Sequence, residues 1–239
     1  MVVWWRESRS NRNGKVVMRR KLKYQKKWNN YTIGDISWIN KRRNHPSRKF
    51  FVDWVRANNI QSIVEIGAGE LIEAKQLSEL DYLIVDFSKV FLSEARKQGF
   101  KTKRSCMALV RTEKKYDVVY MNSVLEHSPN LEMTFKALRR ISKRFFITLF
   151  KWSYNGRHGL RPAYCKTGGG YFSTPFDLDK LLELIKVYGD IDGSFVTSSK
   201  EKEIIPYKKY RKSLGIIKGE YKHRNGRYLS IYGTWRHTN

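Results

Sequence analysis

The sequence predicts an α/β fold: a doubly wound, mostly parallel sheet of seven strands with helices on both faces. From residue 61 onward, β-branched and aromatic runs alternate with segments of helical periodicity. This alternation is typical of parallel strands joined by helical crossovers. Because such crossovers are right-handed, successive helices cover both faces of the sheet. Polar residues follow several of the predicted strands, at the carboxyl ends where sheets of this kind bind ligands.

The first predicted element is a helix over residues 47–58. Ser47 is a suitable N-cap for it, and His45, just before Pro46, is expected to lie in a loop. The helix has one apolar face, formed by Phe50, Phe51, Trp54 and Val55.

The alternating elements follow in order. Apolar or β-branched runs predict strands over 61–67, 81–88, 101–109, 115–123, 144–150 and 227–235. Helical periodicity predicts helices over 71–80, 89–99, 131–143 and 177–189. Gly99 is expected to close the second of these helices, since glycine readily follows the last turn of a helix.

The net charge of +26 is concentrated at the two ends of the chain. Residues 1–60 carry +13 and residues 200–239 carry +8. We therefore expect a basic, aromatic N-terminal extension over 1–44, a binding or catalytic domain over 45–239, and a basic C-terminal region at about 200–227. Basic and aromatic residues together suit phosphate neutralisation and base stacking, which indicates a nucleic acid partner, RNA in particular. An acidic protein partner, or tryptophans that dock on the core, would explain the same composition.

Several classes of protein are not expected. An apolar run of eighteen residues is absent, so no membrane span is predicted. The first twenty residues do not resemble a secretory signal. Cys106 and Cys165 show no metal-binding spacing, and reduced thiols in the cytoplasm are the expectation.

The stretch SIVEIGAGELIEAKQL, residues 62–77, carries the clearest functional signal. A strand that ends in Glu65 runs into Gly67 and Gly69, and a helix follows. Glycines allow a ligand to approach the backbone closely, and a helix N-terminus offers free N–H groups. A dinucleotide fingerprint would need a third glycine where Ile72 stands, which argues against NAD. Asp86, at the end of the next strand, fits a carboxylate that binds a ribose, although it could also cap the following helix.

Three segments, EIGAGE, LIVDFS and YDVVYMNSVLEHSPNL, at these distances resemble the class I S-adenosylmethionine-dependent methyltransferases, over roughly residues 45–190. The tetrapeptide VLEH, residues 124–127, is common in that family. The resemblance implies S-adenosylmethionine as the cofactor. It implies that the cofactor is bound by Glu65, Gly67, Ala68, Gly69, Asp86 and Asn122. Leu71 stands where the family often has a last glycine. The acid that often reads the adenine is absent from RSCMAL, where Ser105 or the backbone near Cys106 could take its place.

The same resemblance places Met121–His127 beside the transferred methyl group. Glu126 and His127 are therefore the candidate catalytic residues, with His127 as a base or a substrate contact; they could equally be polar residues at a helix start. Related enzymes hold a metal with E-x-x-E-H, but Ser123 replaces the first acid here, so no metal site is predicted.

A glycine-rich insertion over about 151–176 follows the fifth strand and is expected to form a lid or substrate loop. Its Arg157, His158 and Arg161 are candidate substrate-binding residues. Together these features predict a methyltransferase that acts on RNA or another polyanion. The alternatives are a small-molecule or glycan O-methyltransferase and a non-catalytic, methyltransferase-like subunit of an RNA or viral assembly.

Overall fold

The structure of the chain is a computed structural model. It describes residues 45–67, 69–150, 152–153, 160, 164–165, 171–172, 174, 176–198, 204–206 and 227–236. The predicted N-terminal extension lies outside the described residues, as do most of the predicted lid and most of the predicted basic C-terminal region. The proposed domain boundaries therefore stay predictions.

Within the described residues, five α-helices surround one eight-stranded sheet. The helices are α1 (Pro46–Ala57), α2 (Ile72–Gln76), α3 (Lys89–Lys97), α4 (Leu131–Ile141) and α5 (Leu178–Tyr188). The strands of this sheet are β1 (Ser62–Ile66), β2 (Asp81–Asp86), β3 (Lys101–Arg104), β4 (Tyr116–Asn122), β5 (Ser142–Leu149), β6 (Gly189–Ser198), β7 (Ile204–Pro206) and β8 (Arg227–Trp235). Across these ranges no helix is long and apolar enough to cross a membrane.

The strand order is β7-β6-β8-β5-β4-β1-β2-β3. Strands β1 to β5 run parallel to one another, whereas β8 is antiparallel to both β5 and β6. The predicted doubly wound, mostly parallel fold is confirmed. Seven strands form the body of the sheet, and the three-residue β7 adds an eighth at its edge. Strands β6 and β7 were not identified individually, because the sequence GDIDGSFVTS contains glycines and aspartates that strands disfavour.

Several element boundaries differ from the prediction, and the helix predicted over 71–80 already ends at Gln76. The third strand ends at Arg104, and residues 107–109 form a 3₁₀ turn where the sequence predicted more strand. The helix predicted over 131–143 ends at Ile141, because Ser142 already begins β5. Gly99 does follow α3 in the left-handed conformation, with φ +83°.

Two apolar cores hold the sheet between its helices. One packs α4 and α5 against residues such as Val64, Val119 and Phe145. The other packs α1, α2 and α3 against Ile63, Tyr120 and other residues of the opposite face. Because side chains alternate along a strand, Glu65, Asp86 and Asn122 lie on the α1 side of the sheet. This second core is where the polar residues of the site meet.

The cap of α1 corrects one expectation. His45, not Ser47, is the N-cap: its Nδ1 accepts from the backbone N–H of Ser47 at 3.3 Å, and Pro46 takes the first helical position. The His45 ring is buried and lies 4.1 Å from the ring of Tyr228 on β8. The predicted loop histidine thus fixes the start of α1 against the sheet.

Leu71 keeps the backbone shape of the glycine that it replaces. Its φ is +60° and its ψ is +34°, the left-handed conformation that glycine adopts without strain. Its side chain is nonetheless buried, 1% exposed, in the core beneath α1. The third glycine position of the loop has therefore become a core position at the expense of local backbone strain.

This strain predicts an inverted order of stability. We expect Leu71→Gly to be more stable than Leu71→Ala by about 1 kcal/mol, because only glycine relieves the left-handed backbone. Leu77, fully buried in the same core with φ −126°, is the matched control, and there glycine should be the less stable substitution. Urea unfolding measures all four variants. If the glycine and alanine variants had the same order of stability at both positions, the interpretation would be contradicted.

Candidate active site

The glycine loop and Asp86 lie side by side at the carboxyl edge of the sheet. Strands β1 and β2 are paired in parallel with Ile66 opposite Val85. The next residue of the first strand, Gly67, donates its N–H to the carbonyl of Val85 at 2.8 Å. Asp86 is the next residue of the second strand. The two predicted cofactor groups thus lie next to each other, and the place where Gly67 and Asp86 meet is named the crevice.

Gly67 is the tightest point of the loop. Its φ is +74°, and a Cβ placed there would lie 2.6 Å from Cγ2 of Val124. The segment that follows β4 therefore packs directly on the glycine loop. Gly69 also has a positive φ, +56°, but a Cβ there would meet open space. The first glycine is required by packing as well as by conformation, and the second by conformation alone.

Asp86 is a buried carboxylate with backbone partners. Its Oδ1 accepts from the N–H of Ser88 at 2.8 Å, and its side chain is 9% exposed. Burial raises the pKa of this carboxyl to about 6, although hydrogen bonds from the backbone of Ser88 and Phe87 offset part of the effect. A carboxylate held in this state suits a ligand that donates hydrogen bonds to it. Ser105 begins the segment beyond β3 and donates its N–H to the carbonyl of Asp86 at 3.1 Å, which places it at the same edge.

Glu65 lies deeper than the loop that it precedes. It is 2% exposed, and its Oε2 accepts from the hydroxyl of Tyr82 at 2.7 Å. Burial, and then the nearby carboxylate of Glu73, raises the pKa of Glu65 well above its usual range. Glu65 thus supports the base of the crevice from within the fold.

A second buried carboxylate, Glu73 on α2, connects three elements. Arg48 of α1 places Nη1 at 2.6 Å from both of its oxygens. Two residues of β4 also donate to Oε1 of Glu73. The hydroxyl of Tyr120 does so at 2.6 Å, and Nδ2 of Asn122 does so at 3.2 Å. Burial acts to lower the pKa of Arg48, but the charge of Glu73, together with Tyr120, Glu65 and Tyr228, outweighs burial and the pKa is raised. We name these four residues, Arg48, Glu73, Tyr120 and Asn122, the Glu73 cluster.

Sequence reasoning missed Arg48 and Glu73. Arg48 stands in a basic run, where it does not differ from its neighbours. Glu73 carried a usable signal, because it falls on the apolar side of the predicted helix beside Ala74 and near Leu77. An acid on the buried face of a helix requires a partner, and a paired acid near a ligand loop indicates a functional position.

The two candidate catalytic residues have different surroundings. Glu126 is fully buried, and its Oε1 accepts from the backbone N–H of Phe150 at 2.6 Å, so it holds the chain just beyond β5. The backbone carbonyl of Glu126 also accepts from Thr174 at 2.9 Å. His127 is half-buried, with its ring 6.3 Å from that of Phe150. The catalytic roles of both stay predictions.

Four predicted site residues lie outside the described residues: Ala68, Arg157, His158 and Arg161. In the ranges that are described, no group of three or more His, Cys, Asp or Glu side chains comes together as metal ligands would. The described part of the site is therefore the crevice between Gly67 and Asp86, with the Glu73 cluster beneath it.

The part of the chain that contains the crevice is similar in sequence to a known family. Residues 64–145 match a family model described as a methyltransferase domain, and this match spans β1 to the start of β5. The predicted resemblance to S-adenosylmethionine-dependent methyltransferases is confirmed over this stretch. The predicted enzyme class and cofactor, a transferase that uses S-adenosylmethionine, are those of this family. No curated protein sequence matches the chain.

Solved methyltransferase structures share the fold of this domain. An S-adenosylmethionine-dependent methyltransferase from Clostridium acetobutylicum is 11% identical, with a TM-score of 0.53 over 91% of this chain and 94% of that one. The 1,6-didemethyltoxoflavin-N1-methyltransferase of Burkholderia thailandensis is 14% identical, with a TM-score of 0.58 over 85% and 83%. A possible histamine N-methyltransferase from Thermotoga maritima is 16% identical, with a TM-score of 0.56 over 89% and 99%. At these identities the likeness concerns the fold.

The contact between Gly67 and Val124 in the methyltransferase domain predicts a specific pattern of stability. We expect Gly67→Ala to lower the free energy of unfolding by about 1–3 kcal/mol more than Gly69→Ala, because only the first substitution adds a steric clash to the positive φ. The added change Val124→Ala in Gly67→Ala should restore part of the loss. Denaturant unfolding tests this, and equal losses for the two glycines would contradict it.

Asp86 predicts a dependence of stability on pH. Its pKa of about 6 lies above the ordinary 3.8, so the folded free protein holds the proton more tightly than the unfolded chain. The stabilisation is complete below pH 3.8 and is lost as the pH rises through about 6. Asp86→Asn, which cannot ionise, should therefore gain stability over the wild type between pH 5 and 8, by up to about 3 kcal/mol. A difference that shrinks with rising pH would contradict this sign.

Proposed function

We propose that the chain is an S-adenosylmethionine-dependent methyltransferase that acts on RNA or another polyanionic substrate. The observation that carries the catalytic part is the shared crevice of Gly67 and Asp86. The methyltransferase family match and fold support the reaction class and the cofactor. The basic composition of the chain supports the substrate class.

The crevice offers what an adenosine with a sulfonium side chain needs. The cofactor supplies an electrophilic methyl group. Asp86 can accept hydrogen bonds from both ribose hydroxyls, a role that favours its ionised form. Gly67 leaves room for the backbone to approach the methionine part, and the close packing of Val124 on it brings the end of β4 next to that position. The chain thereby holds the methyl carbon in line with an acceptor, which is the main contribution a methyltransferase makes.

The substrate proposal rests on charge. The net charge is +26, of which +21 lies in residues 1–60 and 200–239. The described edge of the sheet is basic too, since Lys101, Lys103 and Arg104 of β3 are exposed. When such a surface neutralises the phosphates of a nucleic acid, the counterions condensed on the nucleic acid are released, which makes binding strong at low salt and weak at high salt. The predicted roles of Arg157, His158 and Arg161 in the lid belong to this proposal.

A small-molecule acceptor is the second candidate. Two of the structural relatives are named for methylation of a small molecule, one on 1,6-didemethyltoxoflavin and one, as a possible activity, on histamine. In that case the basic ends of the chain would serve a different purpose, such as binding an acidic partner. The third candidate, a non-catalytic subunit, would have no use for a strained glycine loop beside a buried carboxylate.

A labelling experiment distinguishes the three candidates. The purified full chain is incubated with S-adenosylmethionine carrying a radioactive methyl group and with total RNA, DNA or a metabolite extract. We expect RNA to be labelled, and labelling of RNA to fall steeply between about 50 and 200 mM salt. Label in the metabolite pool alone would support the small-molecule candidate. No label in any pool, together with no binding of the cofactor, would support the non-catalytic one.

A further inference from the structure

The side chain of Asn122 is held in one orientation. It ends β4, and its Nδ2 donates to Oε1 of Glu73 while its Oδ1 accepts from the hydroxyl of Ser123, each at 3.2 Å. The two ends of an asparagine amide have opposite hydrogen-bonding character, one a donor and the other an acceptor. The partners therefore determine which end faces which side of the site.

Glu73 sets this orientation because it can only accept. Nη1 of Arg48 lies 2.6 Å from each carboxylate oxygen, so the carboxylate is paired with a positive charge, and the Glu73 side chain is fully buried. An ionised carboxylate presents no hydrogen to the carbonyl end of an amide. Turning the Asn122 amide round would place two oxygens against each other in a buried position, so the donor end stays on Glu73.

The acceptor end of Asn122 is consequently the end directed away from the core. Asn122 is partly exposed at the carboxyl end of β4. Ser123 follows with φ +58°, and Val124 then packs on Gly67 of the cofactor loop. The carbonyl oxygen of Asn122 thus lies where β4 meets the crevice.

We propose that Glu73, paired with Arg48, is a positioning residue that presents the Asn122 carbonyl oxygen to the methyl acceptor. This inference rests on the proposed function. A carbonyl oxygen orients an acceptor atom that bears a hydrogen, so the substrate group is a hydroxyl or an amine and not a hydrogen-free ring nitrogen or thioether. The acceptor atom uses a lone pair to bond the methyl carbon, the electron pair of the sulfur–carbon bond returns to sulfur, and the proton of the acceptor atom passes to water.

A binding experiment tests the orientation without knowledge of the substrate. S-adenosylhomocysteine has nothing at the position of the transferred methyl group, whereas sinefungin carries an amine there. We expect calorimetry to show that Asn122→Ala weakens sinefungin by about tenfold relative to S-adenosylhomocysteine, because a hydrogen bond to a charged amine is lost. The preference is the ratio of the affinity for sinefungin to the affinity for S-adenosylhomocysteine. Glu73→Gln, whose amide can donate to Oδ1 and let Asn122 turn round, should lower it.

Thermal unfolding shows which variants are folded, and Asn58→Ala is the matched control. Asn58 lies at the opposite edge of the sheet, where Arg144 at the start of β5 donates to it at 3.3 Å, so the preference should not change. An unchanged preference in folded Asn122→Ala would overturn the positioning role alone. Failure of the wild type to bind either compound would overturn the proposed function and this inference with it. Methylation of an atom that carries no hydrogen, mapped on the labelled product, would overturn the acceptor class.

Discussion

The rest of the site depends on the interactions of one buried carboxylate, that of Glu73. It lies on the short helix after the glycine loop and is bound by Arg48 from α1 and by Tyr120 and Asn122 from β4. An ionised group in the interior is stable only when it is paired and hydrogen-bonded, and the loss of one partner typically costs about 3–5 kcal/mol. The pairing therefore fixes α1, α2 and the end of β4 relative to one another. This arrangement determines the shape of the crevice.

The crevice also holds carboxylates that the free protein stabilises poorly. Burial raises the pKa of Asp86 to about 6, and it raises the pKa of Glu65 well above its usual range. Leu71 adds a left-handed backbone at a position that packs into the core. Unfavourable features of this kind concentrate where a protein binds a ligand, because the ligand can supply the missing hydrogen bonds. Stability is given up at the same edge of the sheet where the sequence resemblance places the cofactor.

The sequence predicted the fold and the cofactor loop because both depend on local patterns. Alternating runs identified β1 to β5, and the glycines with Asp86 identified the crevice. The Glu73 cluster could not be predicted in this way, since Arg48, Glu73 and Tyr120 meet only through the packing of α1 and α2 on β4. The cap at His45 was missed for a related reason: Ser47 is the commoner capping residue, whereas the helix starts at Pro46, two residues earlier than a Ser47 cap would place it. Strand β6 was not predicted because it contains glycines and aspartates, which strands disfavour. In the structure it pairs with β8 from Gly189 to Ser198.

The basic ends of the chain and the catalytic crevice lead to separate questions, and the crevice comes first. Its central claim is geometric: Gly67 and Asp86 bind one cofactor molecule, Asp86 by its ribose and Gly67 by its methionine part. A crystal structure of the full chain with S-adenosylhomocysteine tests this claim most directly. We expect the ribose hydroxyls within hydrogen-bonding distance of the Asp86 carboxylate, about 2.5–3.0 Å, with the homocysteine part over Gly67. A nucleoside bound elsewhere, or a ribose out of reach of Asp86, would contradict the account.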